Sequence, residues 1–347
     1  MISSLQLQNI RSHQHSVFTF EQGVNIIVGP NASGKTNALE AIHMLHSGKS
    51  FKSSDNDMIR RGQSWARIDG LAGGEDRSVK LKEMTPRKEF IIEEVSYKRL
   101  PHRLQLPVVV FDPSHLSLLS GDPDGRRSYL DGFIEQVDAS YSETLKKYRR
   151  ALQQRNRLLK QERISPDHVF VWDVQLSEHA GLLTQMRVVY LVQLQKHAAD
   201  YYASISASSD MLAMQLESKL PIDSYADALA SELRRSFELD RLRGFTGSGP
   251  HRDDIRFQLQ GHDARTSASR GESRSIVLAL KLAEMNQLSA RTEMKPILLL
   301  DDVFSELDGK RRRMLSKTLQ EYQSFITTTD ADLAQQHFSD STVIPIN

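Results

Sequence analysis

Apolar residues alternate with polar ones at Ile2, Leu5 and Leu7 and again around Val17, Phe18 and Phe20, a pattern that predicts a β-hairpin with one buried face. The run Val24 to Val28 follows and reads as a buried strand. A glycine-bounded loop ends it, after which Leu39, Ile42, Met44 and Leu45 recur with helical spacing. Short alternating segments return from about Asp69 to Leu100, with Val79 and Leu81, then Phe90, Ile91 and Ile92, then Val95 and Tyr97; they predict an antiparallel sheet, and Val108 to Phe111 reads as a further buried strand.

From about Ser114 to Ser236 the period becomes helical. Leu145, Tyr148, Leu152 and Leu159 mark one helix, Ser165-Pro166-Asp167 breaks it, and a second run extends from Val169 to about Ile205. This predicts an antiparallel helical hairpin in a mostly α lobe. Strand alternation resumes after Gly244 at Ile255, Phe257 and Leu259, a helix runs through Ile276 to Leu288, and Ile297 to Leu300 and Phe325 to Thr328 read as buried strands. There is no internal repeat and no low-complexity tract, which argues against a solenoid.

Composition narrows the class. The chain has 347 residues, 39% hydrophobic and 26% charged, enough for one large domain or two ordinary ones. No apolar run approaches the roughly 18 to 20 residues that span a bilayer, so a transporter subunit is excluded. The start, Met1-Ile2-Ser3-Ser4-Leu5, carries neither a secretory nor a transit pattern, and a cytoplasmic protein is expected. With no cysteine there is no disulfide, thiol catalysis or thiolate metal site. The net charge of +1 does not by itself announce a nucleic-acid binder.

Chemistry enters at Gly29-Pro30-Asn31-Ala32-Ser33-Gly34-Lys35-Thr36, which matches G-x-x-x-x-G-K-[ST] between a predicted strand and a predicted helix. Glycines let successive backbone N–H groups curl around phosphates, and the helix N-terminus adds a favourable dipole. Lys35 reaches the β and γ oxygens, and the Thr36 hydroxyl holds magnesium. A plain Gly-rich turn would not require Lys-Thr at its end. Such a loop needs a carboxylate at the end of a second buried strand, and the strand Ile297 to Leu300 runs into Asp301 and Asp302. Asp301 is assigned to the metal and Asp302 to orienting or deprotonating the attacking water. ATP and Mg2+ are the expected cofactors.

Two further motifs complete a series. Ser269-Arg270-Gly271-Glu272 opens the predicted helix before Asp301, and Ser305-Glu306-Leu307-Asp308 follows it. Alone, Ser269 and Glu272 make a capping box. In the order P-loop, S-x-G-E, Asp-Asp and Ser305 to Asp308, the chain resembles the ABC-type ATPase heads, and among them the RecF family in particular. Gly23-Val24-Asn25, Lys35 to Ile42, Gly48-Lys49-Ser50-Phe51, Gly121-Asp122-Pro123 with Arg126-Arg127, Gln154-Arg155-Asn156, Gly249-Pro250-His251-Arg252-Asp253-Asp254 and Leu300 to Asp308 carry that resemblance along nearly the whole chain.

The resemblance implies an α/β, ABC-type P-loop ATPase head. Lobe I, with a mixed sheet, is expected at 1–113 and 246–347. An inserted, mostly helical lobe II with a short antiparallel arm is expected at 114–245. It also implies weak ATP hydrolysis and an ATP-dependent homodimer in which Ser269, Gly271 and Glu272 complete the partner's site. The further partners it implies are duplex and single-strand/duplex junction DNA, RecR, and indirectly RecO and RecA. Arg270, Ser273 and the Ala32-Ser33 pair depart from the family's usual residues without removing a phosphate or metal ligand.

Between Thr144 and Arg163 eight basic residues face one acidic residue, Glu162. They are read either as a solvated helix face or as a phosphate-contacting stripe, with Lys146, Lys147, Arg149, Arg150, Arg155 and Arg157 as its candidates. Arg126, Arg127, Lys49, Lys52, Arg60 and Arg61 are lesser candidates. Arg11 is placed either at the surface or close to the nucleotide, and His251 to Asp254 has no assigned chemistry. The competing function is an ABC-type ATP switch acting on a protein partner, regulatory or defensive, without DNA retention.

Overall fold

The computed structural model describes residues 1–84, 88–206, 210–304, 306–330, 336–338 and 340–346. Contacts divide the chain into two compact units, one formed by Met1–Leu116 with Glu284–Asn347 and the other by Ser117–Ala283.

In the first unit, β1 (Ile2–Ile10) and β2 (His13–Thr19) form the expected hairpin, and β3 (Val24–Val28) leads into α1 (Lys35–Ser47). After α2 (Asp55–Met58) come β4 (Trp65–Ala72), β5 (Glu75–Lys82), β6 (Glu89–Ile92) and β7 (Val95–Tyr97), then β8 (Val108–Phe111) and α3 (Pro113–Leu116). The second unit holds α4 (Pro123–Val137), α5 (Ala139–Leu159), α6 (Pro166–Ser206), β9 (Leu212–Glu217), α7 (Tyr225–Arg235), α8 (Phe237–Arg243), β10 (Asp254–Leu259), β11 (His262–Asp263) and α9 (Ala264–Ser267). The division falls within α10 (Arg270–Thr292), and the chain returns to the first unit as β12 (Ile297–Asp301), α11 (Gly309–Leu319), β13 (Ser324–Thr328) and β14 (Thr342–Pro345).

The first unit stacks two sheets of different kinds. One is antiparallel, in the order β2-β1-β4-β5-β6-β7; the other is parallel, in the order β14-β3-β13-β12-β8. Residues of both sheets and of α1 share one hydrophobic cluster, with Ile2, Leu5, Leu39, Ile42, Ile68, Leu299 and Phe325 all inaccessible to solvent. Every residue of α1 from Ala38 to His46 is buried, including Glu40, His43 and His46, which are hydrogen-bonded. In the parallel sheet, β8 and β12 up to Leu300 are buried at every residue and therefore read as continuous apolar runs.

The second unit is mostly helical, with the long antiparallel pair α5 and α6 and a small sheet in the order β11-β10-β9. That sheet moves one expected boundary. Residues 246–283, assigned to lobe I from the sequence, pack in the second unit because β10 pairs antiparallel with β9, from Asp254 opposite Glu217 to Leu259 opposite Leu212. β9 lies inside a stretch read as helical. Its sequence, Leu-Ala-Met-Gln-Leu-Glu, consists of strong helix formers, and its strand pairing overrides that propensity. Among the described residues, no helix is long and apolar enough to cross a membrane.

Candidate nucleotide-binding site

The order of the parallel sheet sets the site. β3 and β12 flank β13, so the loop after β3 and the carboxylates after β12 emerge side by side at the carboxyl ends of the strands, where open α/β sheets bind ligands. Thr36 Oγ1 donates to Asp301 Oδ1 at 2.7 Å, joining the P-loop to the acidic strand end. Lys35 is only 8% exposed, and its Nζ donates to the carbonyls of Gly29 at 2.8 Å and Pro30 at 2.9 Å, within the loop itself.

The loop is shaped around backbone. Gly34 has φ of 107°, and a Cβ there would stand 2.3 Å from Ser12 Oγ and 2.5 Å from His13 Nε2. Gly29 is equally confined, since its Cβ would lie 2.3 Å from the Ile346 carbonyl oxygen. Burial lowers the His13 ring below its ordinary value. The neutral ring donates from Nε2 to the Gly34 carbonyl at 3.1 Å and accepts at Nδ1 from Ser16 Oγ at 2.9 Å. Gly34 is also the N-cap of α1 and supplies no side-chain cap, so the first N–H groups of the helix face the loop. Ser33 Oγ is buried with no hydrogen-bond partner among the described residues. A phosphate chain in the concave loop, with a hard divalent cation against a hydroxyl and a carboxylate, fits this donor set.

Two residues not assigned to the site from the sequence belong to it. Thr327, at the end of β13, donates from Oγ1 to Asp301 Oδ1 at 3.0 Å and accepts from the Asp302 backbone N–H at 2.9 Å, fixing both carboxylate residues. Lys52 Nζ lies 3.5 Å from Asp301 Oδ2, so this candidate for DNA contact points at the acidic strand end. Thr327 carries no local signal, because it is one of two threonines in a buried strand. Lys52 sits in a loop held by fully buried Glu40, which accepts from Ser50 Oγ at 2.6 Å and Ser53 Oγ at 2.5 Å. Arg11 completes that hub, bonded to Glu40 at 3.1 Å, to Asn37 at 3.3 Å and to the Asp57 carbonyl at 2.8 Å. It braces the first turns of α1 from below. Asp302 has φ of 56° and an exposed side chain at the strand end.

At the start of α10 the capping box is formed. Glu272 Oε2 accepts from the Ser269 N–H at 2.7 Å, and Ser269 Oγ accepts from the Glu272 N–H at 3.2 Å. Gly271 lies in the first turn of that helix. Ser305 lies outside the described residues, and Asp308 caps α11, accepting from the Arg311 N–H at 3.0 Å. Losing the cap through Ser269→Ala is expected to lower stability by about 1 kcal/mol, read from a denaturant or thermal melt. A melt identical to the parent's would contradict the capping geometry.

The basic stripe of α5 splits. Lys146, Lys147, Arg149, Arg150 and Arg157 are exposed. Arg155 is not. It is inaccessible to solvent, and its guanidinium donates to Asp173 at 2.6 Å, to Asp240 at 2.7 Å and to Thr246 Oγ1 at 2.8 Å. Arg155 is therefore a buried strut of the second unit and not a contact for DNA. Arg126, 1% exposed, is corrected for the same reason, because it is forked onto Asp254 at 2.7 and 2.9 Å.

A family model described as an AAA domain matches residues 4–97. The chain is 37% identical over 344 residues to the DNA replication and repair protein RecF of Symbiobacterium thermophilum, covering 95% of this chain and 92% of that one. The chain belongs to the RecF family. A solved structure of the recombination mediator protein RecF with ATP, from the RecFOR pathway, superposes with a TM-score of 0.86 at 30% identity, covering 95% of this chain and 92% of that one. An Smc head domain derived from Pyrococcus furiosus, 13% identical with a TM-score of 0.54 over 100% of this chain and 94% of that one, shares the fold alone. This RecF-family chain therefore has the ABC-type ATPase head fold.

Proposed function

We propose that this chain binds ATP with magnesium in the Gly29–Thr36 loop, dimerises on it, and acts on DNA in recombinational repair. The observation that carries the reading is the 2.7 Å hydrogen bond between Thr36 and Asp301, which brings together two ligands from opposite ends of the chain. Magnesium ATP, when bound, supplies the phosphoryl group and the charge that a divalent ion neutralises. Gly29, Pro30, Asn31, Ala32, Ser33 and Gly34 present backbone to the phosphates. Lys35, now held by two loop carbonyls, would hold phosphate oxygens, and Thr36 and Asp301 would hold the ion. Lys52, 3.5 Å from Asp301, would lie beside the bound phosphates and ion. Asp302 holds and deprotonates the attacking water.

In this reading Ser269, Gly271 and Glu272 close the partner protomer's site, using the N-terminus of α10 as an anion site. The Ser269 hydroxyl gives up its bond to Glu272 when the dimer forms. Hydrolysis is slow and times release from DNA. Junction binding, cooperation with RecR and indirectly RecO, and promotion of RecA loading are the roles in repair that family membership supports.

DNA contact is assigned to the exposed cations of α5. Each phosphate contact releases condensed counterions, so the logarithm of affinity falls with the logarithm of salt at about −0.9 per contact. Arg149→Ala, Arg150→Ala and Arg157→Ala together are expected to weaken binding and flatten that slope by about two to three contacts. Fluorescence anisotropy of a labelled duplex in magnesium ATP, over a salt series, measures it. An unchanged slope in a variant that still dimerises would remove α5 from the DNA surface.

A further inference from the structure

The segment Gly249-Pro250-His251-Arg252-Asp253-Asp254, without a chemical role so far, ties the second unit together. Gly249, at φ of 128°, passes so close to α5 that a Cβ would lie 2.7 Å from the Tyr148 hydroxyl. The Pro250 carbonyl accepts from Arg187 of α6 at 2.8 Å. Burial lowers the His251 ring to about 4. Its Nε2–H donates to the Thr246 carbonyl at 3.1 Å, and its Nδ1 accepts from the Tyr148 hydroxyl at 2.5 Å. Asp253 accepts from the Tyr225 hydroxyl of α7 at 2.8 Å through its side chain and from Arg127 of α4 at 2.6 Å through its carbonyl. Asp254 receives the fork of Arg126.

Arg252 is the exception. Its side chain is exposed, has no carboxylate partner among the described residues, and lies over the ring of Phe245 at 5.1 Å. The clamp thus holds one cation on an aromatic face turned to solvent.

Around it the surface is apolar and unusually open. Phe245 is 41% exposed, and on α8 Leu239 is 47% and Leu242 78% exposed. Arg243 folds its Nη1 to within 3.6 Å of the position a Cβ on Gly247 would take, and the side chain of Lys160 lies beside Gly244. Both are exposed and, like Arg252, have no described carboxylate partner. Their neighbours Arg241 and Arg235 are paired, with Glu238 at 2.9 Å and Glu232 at 2.5 Å. The three cations without a described partner thus lie at Gly244, Gly247 and Phe245, a stretch that follows Leu242 directly in the chain.

We propose that this face of α8 and the 244–252 loop docks an acidic segment of a partner protein that carries apolar side chains. Carboxylates would meet Lys160, Arg243 and Arg252, while an apolar anchor would cover Leu242 and Phe245, the pairing of aromatic, arginine and apolar groups that concentrates binding energy in protein interfaces. A nucleic-acid backbone would satisfy the cations but leave two leucines against phosphates. The surface belongs to the second unit alone and does not depend on the nucleotide reading.

The probe is a fluorescein-labelled synthetic peptide alternating Asp with Leu and Phe, titrated against the full chain by anisotropy, with an Asp-to-Asn peptide and a Leu/Phe-to-Ser peptide as controls. The parent peptide is expected to bind saturably, and each control to bind at least about tenfold more weakly. Leu242→Ser and Arg252→Glu are each expected to weaken the parent peptide by about tenfold or more at an unchanged melting temperature, whereas Arg150→Glu leaves it unaffected. Absence of saturable binding, or binding indifferent to Leu242→Ser, overturns the proposal. So does an Arg252→Glu chain that loses affinity for a labelled duplex while keeping the peptide, which would make the face a DNA surface.

Discussion

Replacing Lys35 by alanine is expected to lower ATP affinity by about a hundredfold or more, measured by calorimetry or fluorescent-nucleotide titration. The ammonium is almost fully buried and is held by two loop carbonyls at 2.8 and 2.9 Å, so it is already positioned where the phosphates would lie. A hydrogen bond to a charged group contributes about 1.5 to 3 kcal/mol, and Lys35 makes more than one such bond to a phosphate chain. The fold should survive, because Pro30 is exposed and water replaces the ammonium at its carbonyl. Unchanged affinity in a folded Lys35→Ala chain would contradict the role of the loop.

Arg155→Ala is expected to cost about 3 to 5 kcal/mol of folding stability, because removing one member of a buried ion cluster strands the others. Asp173 and Asp240 would remain buried without their cation. Burial already raises the Asp173 carboxyl above its usual range, with Arg155 opposing it. Arg155→Lys should recover little, since a point charge cannot fork to Asp173, Asp240 and Thr246 together. Urea unfolding checks both variants. A parent-like midpoint for Arg155→Ala would mean the cluster is not a strut, and any DNA defect in that variant is expected only through loss of fold.

The burial of Arg155 was in fact written in the sequence. Tyr141, Leu145, Tyr148 and Leu159 are buried on α5, and Arg155 follows Tyr148 by one heptad on the same stripe. The local charge excess concealed a position that periodicity alone would have placed inside. The P-loop, Asp301 and the strands bearing them were legible because each couples a local motif to a buried apolar run. Lys52 and Thr327 were not, since their roles arise only when strands distant in sequence lie side by side. The lobe boundary moved for a related reason: β9 has helix-favouring residues, and only its ladder with β10 makes it a strand.

The structure shows one role for the signature segment, and the proposal asks a second of the same geometry. The capping box accounts for Ser269 and Glu272 within one chain, and the proposed closure of a partner's site asks the same hydroxyl to change acceptors. A dimer that forms only with nucleotide separates these roles, because a cap acts with or without ATP.

The most direct measurement is sedimentation velocity of an Asp302→Asn chain with and without magnesium ATP. Asparagine tolerates the left-handed backbone at this position, where φ is 56°, so the variant should fold. The carboxylate assigned to the attacking water is gone while Lys35, Thr36 and Asp301 remain. A monomer without nucleotide that becomes a stable dimer with magnesium ATP, and returns to monomer when Lys35→Ala is added, is the result expected. A chain that binds ATP tightly yet sediments as a monomer under every condition would contradict the account.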